Sequence, residues 1–293
     1  MHIWTKSLIL MLLLALGAMP LQAKILDYNH AFSYSEIGAE IVSYGEETTV
    51  GGYPLNMEAV VVNVVQRSGG YTPVSEFGGF YVQTATTLDP LSAHEQWDIQ
   101  PFGVIQENER KVRWNELNVS YSYIFRDTGY HLIAGGSIAT LSFIRSNFQR
   151  GANTAAFENA VGSTLTVFPG AISEDSTHFS AHIGFRYDST FLDPDETDRL
   201  LWGVSAGIPV YYKVENSGFP GTTWIENFKG YDLSANVNYG IQLFEKFMLS
   251  MSAEGLYKSR PETHGEVVSG GIGRIPKVTI WNVRLGVGVE WSY

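Results

Sequence analysis

Apolar and polar residues alternate along most of the chain, most regularly in the C-terminal stretch WNVRLGVGVEWSY. From Trp281 to Tyr293 every odd-numbered residue is apolar or aromatic, and every even-numbered residue is polar, charged or glycine. A period of two residues predicts a β-strand with one apolar face. The same alternation recurs at 117–125, 179–187, 202–212, 231–243 and 247–257. The pattern therefore predicts an all-β protein.

The second face of these strands distinguishes a membrane barrel from a soluble sandwich. The exposed face of a soluble sheet is rich in Lys and Glu, whereas here the second face consists mostly of Ser, Asn, Gly and Gln. Strands of transmembrane barrels have apolar residues outside and polar residues inside. We therefore predict a transmembrane antiparallel up-and-down β-barrel, with its apolar face toward lipid and its polar face toward a narrow interior.

Aromatic residues stand ten positions apart near the two ends of three of these strands. The pairs are Trp202 and Tyr212, Phe247 and Tyr257, and Trp281 and Trp291. Ten residues at about 3.3 Å each, tilted by about 40°, span about 25 Å, which is the height of the apolar band of an outer-membrane barrel. The spacing predicts two aromatic girdles, one at each membrane interface.

Connections between the strands alternate in length. Those at 126–129 and 244–246 are short, whereas those at 214–229 and 259–276 are long and contain Gly, Pro, Asn and Glu. Outer-membrane barrels have short periplasmic turns and long outer loops, so the last strand should run toward the periplasm. The predicted barrel has ten strands, near 31–44, 57–67, 77–87, 113–126, 130–145, 177–188, 200–213, 230–244, 247–258 and 278–293. Outer loops are predicted at 45–56, 88–112, 146–176, 214–229 and 259–277.

The stretch 146–176, which contains GSTLTVF, allows two interpretations. This stretch is either an extension of an outer hairpin or two further wall segments. The parity of the later turns favours the hairpin, because one extra strand would invert all of them. Two extra segments would give twelve strands.

The N-terminal stretch MHIWTKSLILMLLLALGAMPLQA has a basic residue, a short apolar run and a small residue before the expected cut, as in secretory signal peptides. We predict that residues 1–23 are removed and that residues 24–293 form the barrel domain.

The chain has no cysteine, which excludes disulfides and a lipid anchor on an N-terminal cysteine. Its formal net charge of −11 argues against nucleic-acid partners, since phosphates need a basic surface.

The signal peptide, the alternating strands and the closing GVEWSY together resemble bacterial outer-membrane β-barrel proteins. The resemblance implies a monomer in the outer membrane, in contact with its lipids and lipopolysaccharide. It also implies insertion by the barrel-assembly machinery, which in this family reads a terminal aromatic residue, a second aromatic two positions earlier and an upstream glycine. Tyr293, Trp291 and Gly288 match that signal. Gly286 departs from it, because a polar residue is usual there.

Two patterns invite a catalytic interpretation. GVSAG, at 203–207, matches a nucleophile motif that requires a sharp strand-to-helix turn, but Ser205 falls within a strand. HFSAHIGFRYD places five polar residues on one lumenal stripe: His178, Ser180, His182, Arg186 and Asp188. Ser180 and His182 lie about 7 Å apart along the strand, and the sequence identifies no partner for them. We interpret the stripe as polar filling of the interior and predict no catalytic residue.

By size, a ten-stranded barrel also resembles the omptin proteases, which carry a paired-aspartate motif and an Asp-x-His motif on the barrel wall. This chain has no Asp-x-His, and its Asp-x-Asp, Asp193 and Asp195, lies in a turn. The catalytic residues of that family therefore have no counterparts here. The acidic turn could bind calcium through oxygen ligands, but we interpret it as a solvated acidic turn. We predict no metal and no cofactor.

Glu254 and Arg284 form the best-motivated pair of lumen residues. Each lies three residues inside the outer aromatic residue of its strand, and the two strands are consecutive. Opposite charges on adjacent strands satisfy each other where water is scarce. We therefore predict a structural plug or constriction at this pair. Asp232 and Lys213 are expected to form a similar contact nearer the rim.

The width of a ten-stranded barrel limits its function, because interiors of eight strands are filled by side chains and open aqueous channels need about 16–18 strands. The expected role is structural or in surface interactions, carried by the outer loops. A narrow channel for small solutes is the alternative. A hydrolase acting on lipid or peptide is the third, and it requires a histidine and an acid that converge near the outer rim.

Overall fold

The computed structural model describes residues 31–125, 128–191, 198–266 and 272–292, without the side chains of residues 266 and 272. The predicted signal peptide, the acidic turn with Asp193 and Asp195, and Tyr293 lie outside these ranges. No helix among the described residues is long and apolar enough to span a membrane. Strands make up most of the described chain, as the alternating pattern predicted.

Fourteen strands and one α-helix occur in the described ranges. In chain order they are β1 (Phe32–Val50), β2 (Tyr53–Ser75), β3 (Gly78–Pro90), β4 (Ala93–Ile99), β5 (Gly103–Ile124), β6 (Tyr130–Arg150), α1 (Thr154–Val161), β7 (Ile172–Asp188), β8 (Asp198–Asn216), β9 (Thr223–Glu226), β10 (Tyr231–Phe244), β11 (Phe247–Arg260), β12 (Thr263–Glu266), β13 (Ile272–Ile275) and β14 (Lys277–Ser292).

These strands form a closed ring of ten wall strands. All pairings in the ring are antiparallel, and β1 pairs with both β2 and β14, which closes the barrel. β3 and β4 act as one wall strand, since both lie between β2 and β5. β9 pairs only with the outer end of β8, and β12 and β13 form a separate outer hairpin. The ten-strand prediction is therefore confirmed.

The segment 146–176 adds no wall strand. β6 continues to Arg150, β7 starts at Ile172, and α1 lies between them. The GSTLTVF stretch contains neither strand nor helix. The hairpin interpretation was therefore correct, and the twelve-strand alternative was wrong.

The predicted outer loops were too long, because most of 45–56 and 88–112 is strand. On the extracellular side of the lipid-facing band, the polarity of the wall reverses: inward residues are apolar and outward residues are polar. Inward residues there form an apolar core: Val42, Tyr44, Val61, Val112, Trp114, Ala139, Leu141, Phe143, Leu256, Val278 and Ile280. Outward neighbours such as Glu47, Lys111 and Arg113 are exposed. The extracellular half thus resembles a soluble barrel, with an apolar core and a polar surface, whereas the other half has an apolar surface that faces lipid.

The stretch EAVVVNVV in β2 spans the change between these two halves. Val61 and Val65 point inward and are buried, whereas Val60, Val62 and Val64 point outward and are exposed. Both faces of β2 are apolar here because one face contacts the core and the other contacts lipid. This explains why the first strands alternate less regularly than the last ones.

Aromatic clusters mark the two edges of the lipid-facing band. At the outer edge the ring of Tyr257 lies 4.4 Å from that of Trp281, measured between centroids. At the periplasmic edge the ring of Tyr187 lies 5.2 Å from Tyr130 and 6.1 Å from Trp202. Aromatic residues at both edges are typical of outer-membrane barrels.

Tyr212 does not belong to the outer girdle, contrary to the prediction. Phe179 on β7 pairs with Tyr211 on β8, while Ser180 pairs with Pro209, so Val210 is the extra residue of a β-bulge. The bulge inverts the facing of the residues that follow. Tyr212 consequently points inward and is only 4% exposed.

Candidate functional site: the ion pairs of the lumen

The periplasmic end of the lumen is closed by an aromatic plug, defined by the buried residues Phe32, Tyr34, Tyr71, Tyr81 and Leu201. Two arginines lie against its rings. The guanidinium carbon of Arg199 lies 3.6 Å from the ring centroid of Phe32, and that of Arg186 lies 3.8 Å from the centroid of Tyr81. Arg199 also forms ion pairs with Asp188 and Glu290. The predicted stripe residues Arg186 and Asp188 thus help to close the lumen.

Arg284 is the centre of the next layer. Its Nε lies 2.9 Å from Glu40 Oε1, and its Nη1 lies 3.1 Å from Glu254 Oε2 and 3.2 Å from Glu116 Oε2. Its side chain is 1% exposed. The structure thus brings together Glu254 and Arg284, which the sequence placed at similar heights. Glu40 was missed because only barrel closure brings β1 beside β14, and Glu116 was missed because β5 is not a neighbour of β14 in the sheet.

A second network lies beside Arg284 and is centred on Glu36. This carboxylate accepts hydrogen bonds from Arg67 at 3.2 Å, Ser250 at 2.8 Å, Ser252 at 2.7 Å and Asn238 at 3.0 Å. Arg67 Nη2 also lies 3.7 Å from Glu254, which joins this network to that of Arg284. Carboxylates buried with several donors are satisfied without water.

Asp232 belongs to a third group of charges. Ser180 donates a hydrogen bond to it at 2.6 Å, and Arg260 Nη2 lies 2.7 Å from its carboxylate. Lys258 Nζ lies 3.9 Å away. The predicted contact with Lys213 is wrong, because the bulge in β8 turns that lysine outward, where its Nζ lies 2.9 Å from Glu215.

The candidate nucleophiles have partners that serve structure. Ser180 donates to Asp232, and the Ser205 hydroxyl lies 2.6 Å from that of Ser234. His182 faces a small polar cavity, which is also lined by Ser180, Ser205, Ser234 and Asp232. Neither serine hydroxyl is hydrogen-bonded to His182 in the described structure. The arrangement therefore matches polar filling better than a hydrolase site.

An outer ionic cluster, defined by Glu46, Glu95, Arg110 and Arg145, lies above the apolar core. Arg110 lies 2.6 Å from Glu46 and 2.5 Å from Glu95, and Arg145 lies 2.9 Å and 2.7 Å from the same two residues. Burial alone raises the pKa of Glu95, but the two arginines outweigh this effect and hold its pKa at about 2. The residue pattern did not predict this cluster, because Glu46, Glu95 and Arg110 fall in stretches that were expected to be loops.

The two described residues of the predicted insertion signal lie on β14. Trp291 is opposite Phe247 at the periplasmic end. A Cβ atom on Gly288 would lie 2.0 Å from the carbonyl oxygen of Ser35, so the neighbouring strand leaves room only for glycine. At Gly286 a Cβ would lie 2.9 Å from Ser252 Oγ and 3.1 Å from Glu36 Oε2, so a larger residue there would disturb the hydrogen bond between those two side chains. The signal itself stays a prediction.

No protein-family model matches the chain, and no curated protein sequence matches it. Among solved structures, the outer membrane protease OmpT from Escherichia coli has a TM-score of 0.67 at 10% identity, with 93% of this chain and 100% of that chain covered. The outer membrane protein OprG from Pseudomonas aeruginosa has a TM-score of 0.37 at 11% identity, covering 90% and 97%. At 10% identity the likeness to OmpT concerns the fold alone.

The closed ring of ten antiparallel strands, its lipid-facing band and its two aromatic edges define the class of this protein. It is a β-barrel of the bacterial outer membrane. The resemblance to the omptin proteases extends from size to fold. It does not extend to the Asp-x-His motif, which the sequence lacks.

Proposed function

We propose that the protein is a closed, non-conducting barrel that carries a rigid extracellular surface, with a structural or surface-interaction role. The single observation that carries this proposal is the position of Arg284, enclosed by three carboxylates from β1, β5 and β11. Side chains from these wall strands meet across the lumen. Opening a pore here would separate buried ion pairs, which is costly.

Two apolar layers support a closed lumen. The aromatic plug lies on the periplasmic side of Arg284, and the apolar core lies on its outer side. Layers of this kind hinder the passage of water and ions, because they offer few polar partners. Ions that enter from either end would therefore meet both an apolar layer and a paired ionic layer.

The extracellular half supports a role at the cell surface. Its strands extend past the lipid-facing band and are fixed by their own core and by the outer ionic cluster. On one side of the rim, Phe157 of α1 packs in a further apolar cluster with Leu55, Met57, Ile99 and Ile105. Surfaces of this rigidity suit recognition, because little conformational entropy is lost on binding.

We further propose that the protein is a monomer surrounded by outer-membrane lipids and lipopolysaccharide. The apolar outward residues of the wall support the lipid contacts. Insertion by the barrel-assembly machinery, through Gly288, Trp291 and Tyr293, belongs to the same proposal.

Planar-bilayer conductance of the full-length, detergent-folded protein tests this function, with heat-modifiable gel migration as the folding check. We expect no discrete openings from the wild type. Steady openings would overturn the proposal in favour of a narrow channel. The channel alternative draws support from the small polar residues around His182. If the barrel conducts, the conductance should change in Arg284→Ser but not in Arg113→Ser, because the side chain of Arg113 is outside the barrel.

A further inference from the structure

Glu174, near the start of β7, lies beside the outer ionic cluster without a basic partner of its own. It is 4% exposed and accepts a hydrogen bond from Asn216 Nδ2 at 2.9 Å. Among the residues that the structure describes, no Lys or Arg lies within ion-pair distance of its carboxylate, whereas Arg110 and Arg145 are both engaged by Glu46 and Glu95. Glu174 and the outer ionic cluster together therefore hold three carboxylates and two guanidinium groups, while the nearby Arg260 is paired with Asp232.

The titratable groups that act on Glu174 come from four strands: Glu46 and Tyr44 from β1, Arg110 from β5, Arg145 from β6 and Tyr212 from β8. Glu95 is paired with the same two arginines, and His178 and Arg260 lie against the ring of Tyr212. Burial and then the charge of Glu46 raise the pKa of Glu174 to about 7, against the opposing effects of Asn216 and the two arginines. The level lies above the lipid, because the outward neighbours Glu47, Lys111 and Asp175 are exposed.

The backbone around Glu174 ties two rim segments together. The amide of Ser173 donates to the hydroxyl of Ser217 at 2.8 Å, and the amide of Ser217 donates to the carbonyl of Ser173 at 2.8 Å. Residues 151–171, which cross the rim and include α1, lead directly into this contact. Glu174 is the next residue after this contact, and its carboxylate is bonded to Asn216 of β8, so a movement of Glu174 would affect the contact directly.

We propose that Glu174 is a proton-controlled latch of the extracellular rim. In its neutral form it stays buried against the outer ionic cluster and holds the start of β7 to β8. In its ionised form it is repelled by Glu46, because both arginines are already paired, and it moves to solvent together with residues 172–174. The rim is closed in mildly acidic surroundings and loosens in alkaline ones. This inference does not depend on whether the barrel conducts.

Hydrogen exchange of the full-length protein in detergent, followed by mass spectrometry at about pH 6 and about pH 9, tests the latch. The exchange rates are first corrected for the intrinsic effect of pH on amide exchange. We then expect residues 163–176 of the wild type to exchange about tenfold faster or more at the higher pH. The reason is that each pH unit above the pKa of Glu174 changes the ratio of its ionised to its neutral form by about tenfold. Residues 130–141 should not change. Equal exchange at both pH values in residues 163–176 would overturn the proposal.

Two variants separate this latch from a general effect of pH. Glu174→Gln cannot ionise, so its rim should stay protected at both pH values. Asp175→Asn changes the neighbouring carboxylate, which points outward and accepts a hydrogen bond from Ser142, and it should behave like the wild type. A pH response that survives in Glu174→Gln would also overturn the proposal. If Glu174→Gln does not fold, the wild type alone tests the proposal. Its hydrogen-exchange rate should then change near pH 7 in residues 163–176 and nowhere else, and the absence of that change would overturn the proposal.

Discussion

Arg284 of the last strand lies directly opposite Glu40 of the first strand, with its Nε 2.9 Å from Glu40 Oε1. The ion pair thus spans the seam at which the barrel closes. Glu40 is fixed further by Asn63 and Asn282, whose amide groups donate to it at 3.2 Å and 2.8 Å. The seam is therefore held by side chains inside the lumen as well as by the backbone ladder.

Loss of this guanidinium should destabilise the barrel strongly. Arg284→Ala leaves Glu40, Glu116 and Glu254 buried without their shared cation, and we expect a loss of about 3–5 kcal/mol. The check is the midpoint of the heat-modifiable gel shift, or of urea unfolding, in detergent. Arg113→Ala is the matched control and should stay within about 0.5 kcal/mol, because that arginine is exposed on the outer wall. Equal midpoints for both variants would contradict the role of Arg284.

The alternation of residues predicted ten strands and their lipid-facing sides, because lipid imposes one polarity on every outward residue. It did not predict Glu40 as a partner of Arg284, since the two residues are far apart in sequence and meet only through closure. The bulge at Val210 was also invisible, because it inverts the facing of β8 at the height where the polarity of the wall reverses. The apolar residues therefore stay at even-numbered positions, outward at Ile208 and inward at Tyr212 and Val214. Above the lipid the polarity reverses, and strands such as those holding Glu46 and Arg110 looked like loops.

Acid should weaken the extracellular half through Glu95. Its folded-state pKa of about 2 lies below the unfolded value, so its contribution is present above about pH 4.3 and is lost as the pH falls toward about 2. The shift corresponds to about 3 kcal/mol. Hydrogen exchange in residues 93–110 should therefore accelerate between about pH 5 and about pH 2. In Glu95→Gln this acid response should shrink, although the variant starts from lower stability. An unchanged acid response in that variant would count against Glu95.

A substitution at Gly288 can distinguish a role of this glycine in strand packing from a role as an insertion signal. Gly288→Ala places a Cβ 2.0 Å from the carbonyl oxygen of Ser35, so we expect about 1–3 kcal/mol of destabilisation even when the purified protein folds in detergent without any assembly machinery. Gly255→Ala is the control, because its Cβ would meet nothing within 4 Å. Normal folding of Gly288→Ala in detergent, combined with failed insertion in cells, would show instead that the glycine acts as a signal.

Cysteine labelling tests whether the outer end of β8 is packed as the structure shows, and the chain has no cysteine of its own to interfere. Lys213 points outward beside Glu215, whereas Val214 is 0% exposed and packs with Tyr212 and Trp224. In the folded protein, Lys213→Cys should react with a water-soluble maleimide at least about tenfold faster than Val214→Cys, because burial removes the thiol from the reagent. The difference should vanish after denaturation. Equally fast labelling of both positions in the folded state would mean that this stretch is a flexible loop, and that the rim lacks the rigid surface on which the proposed function depends.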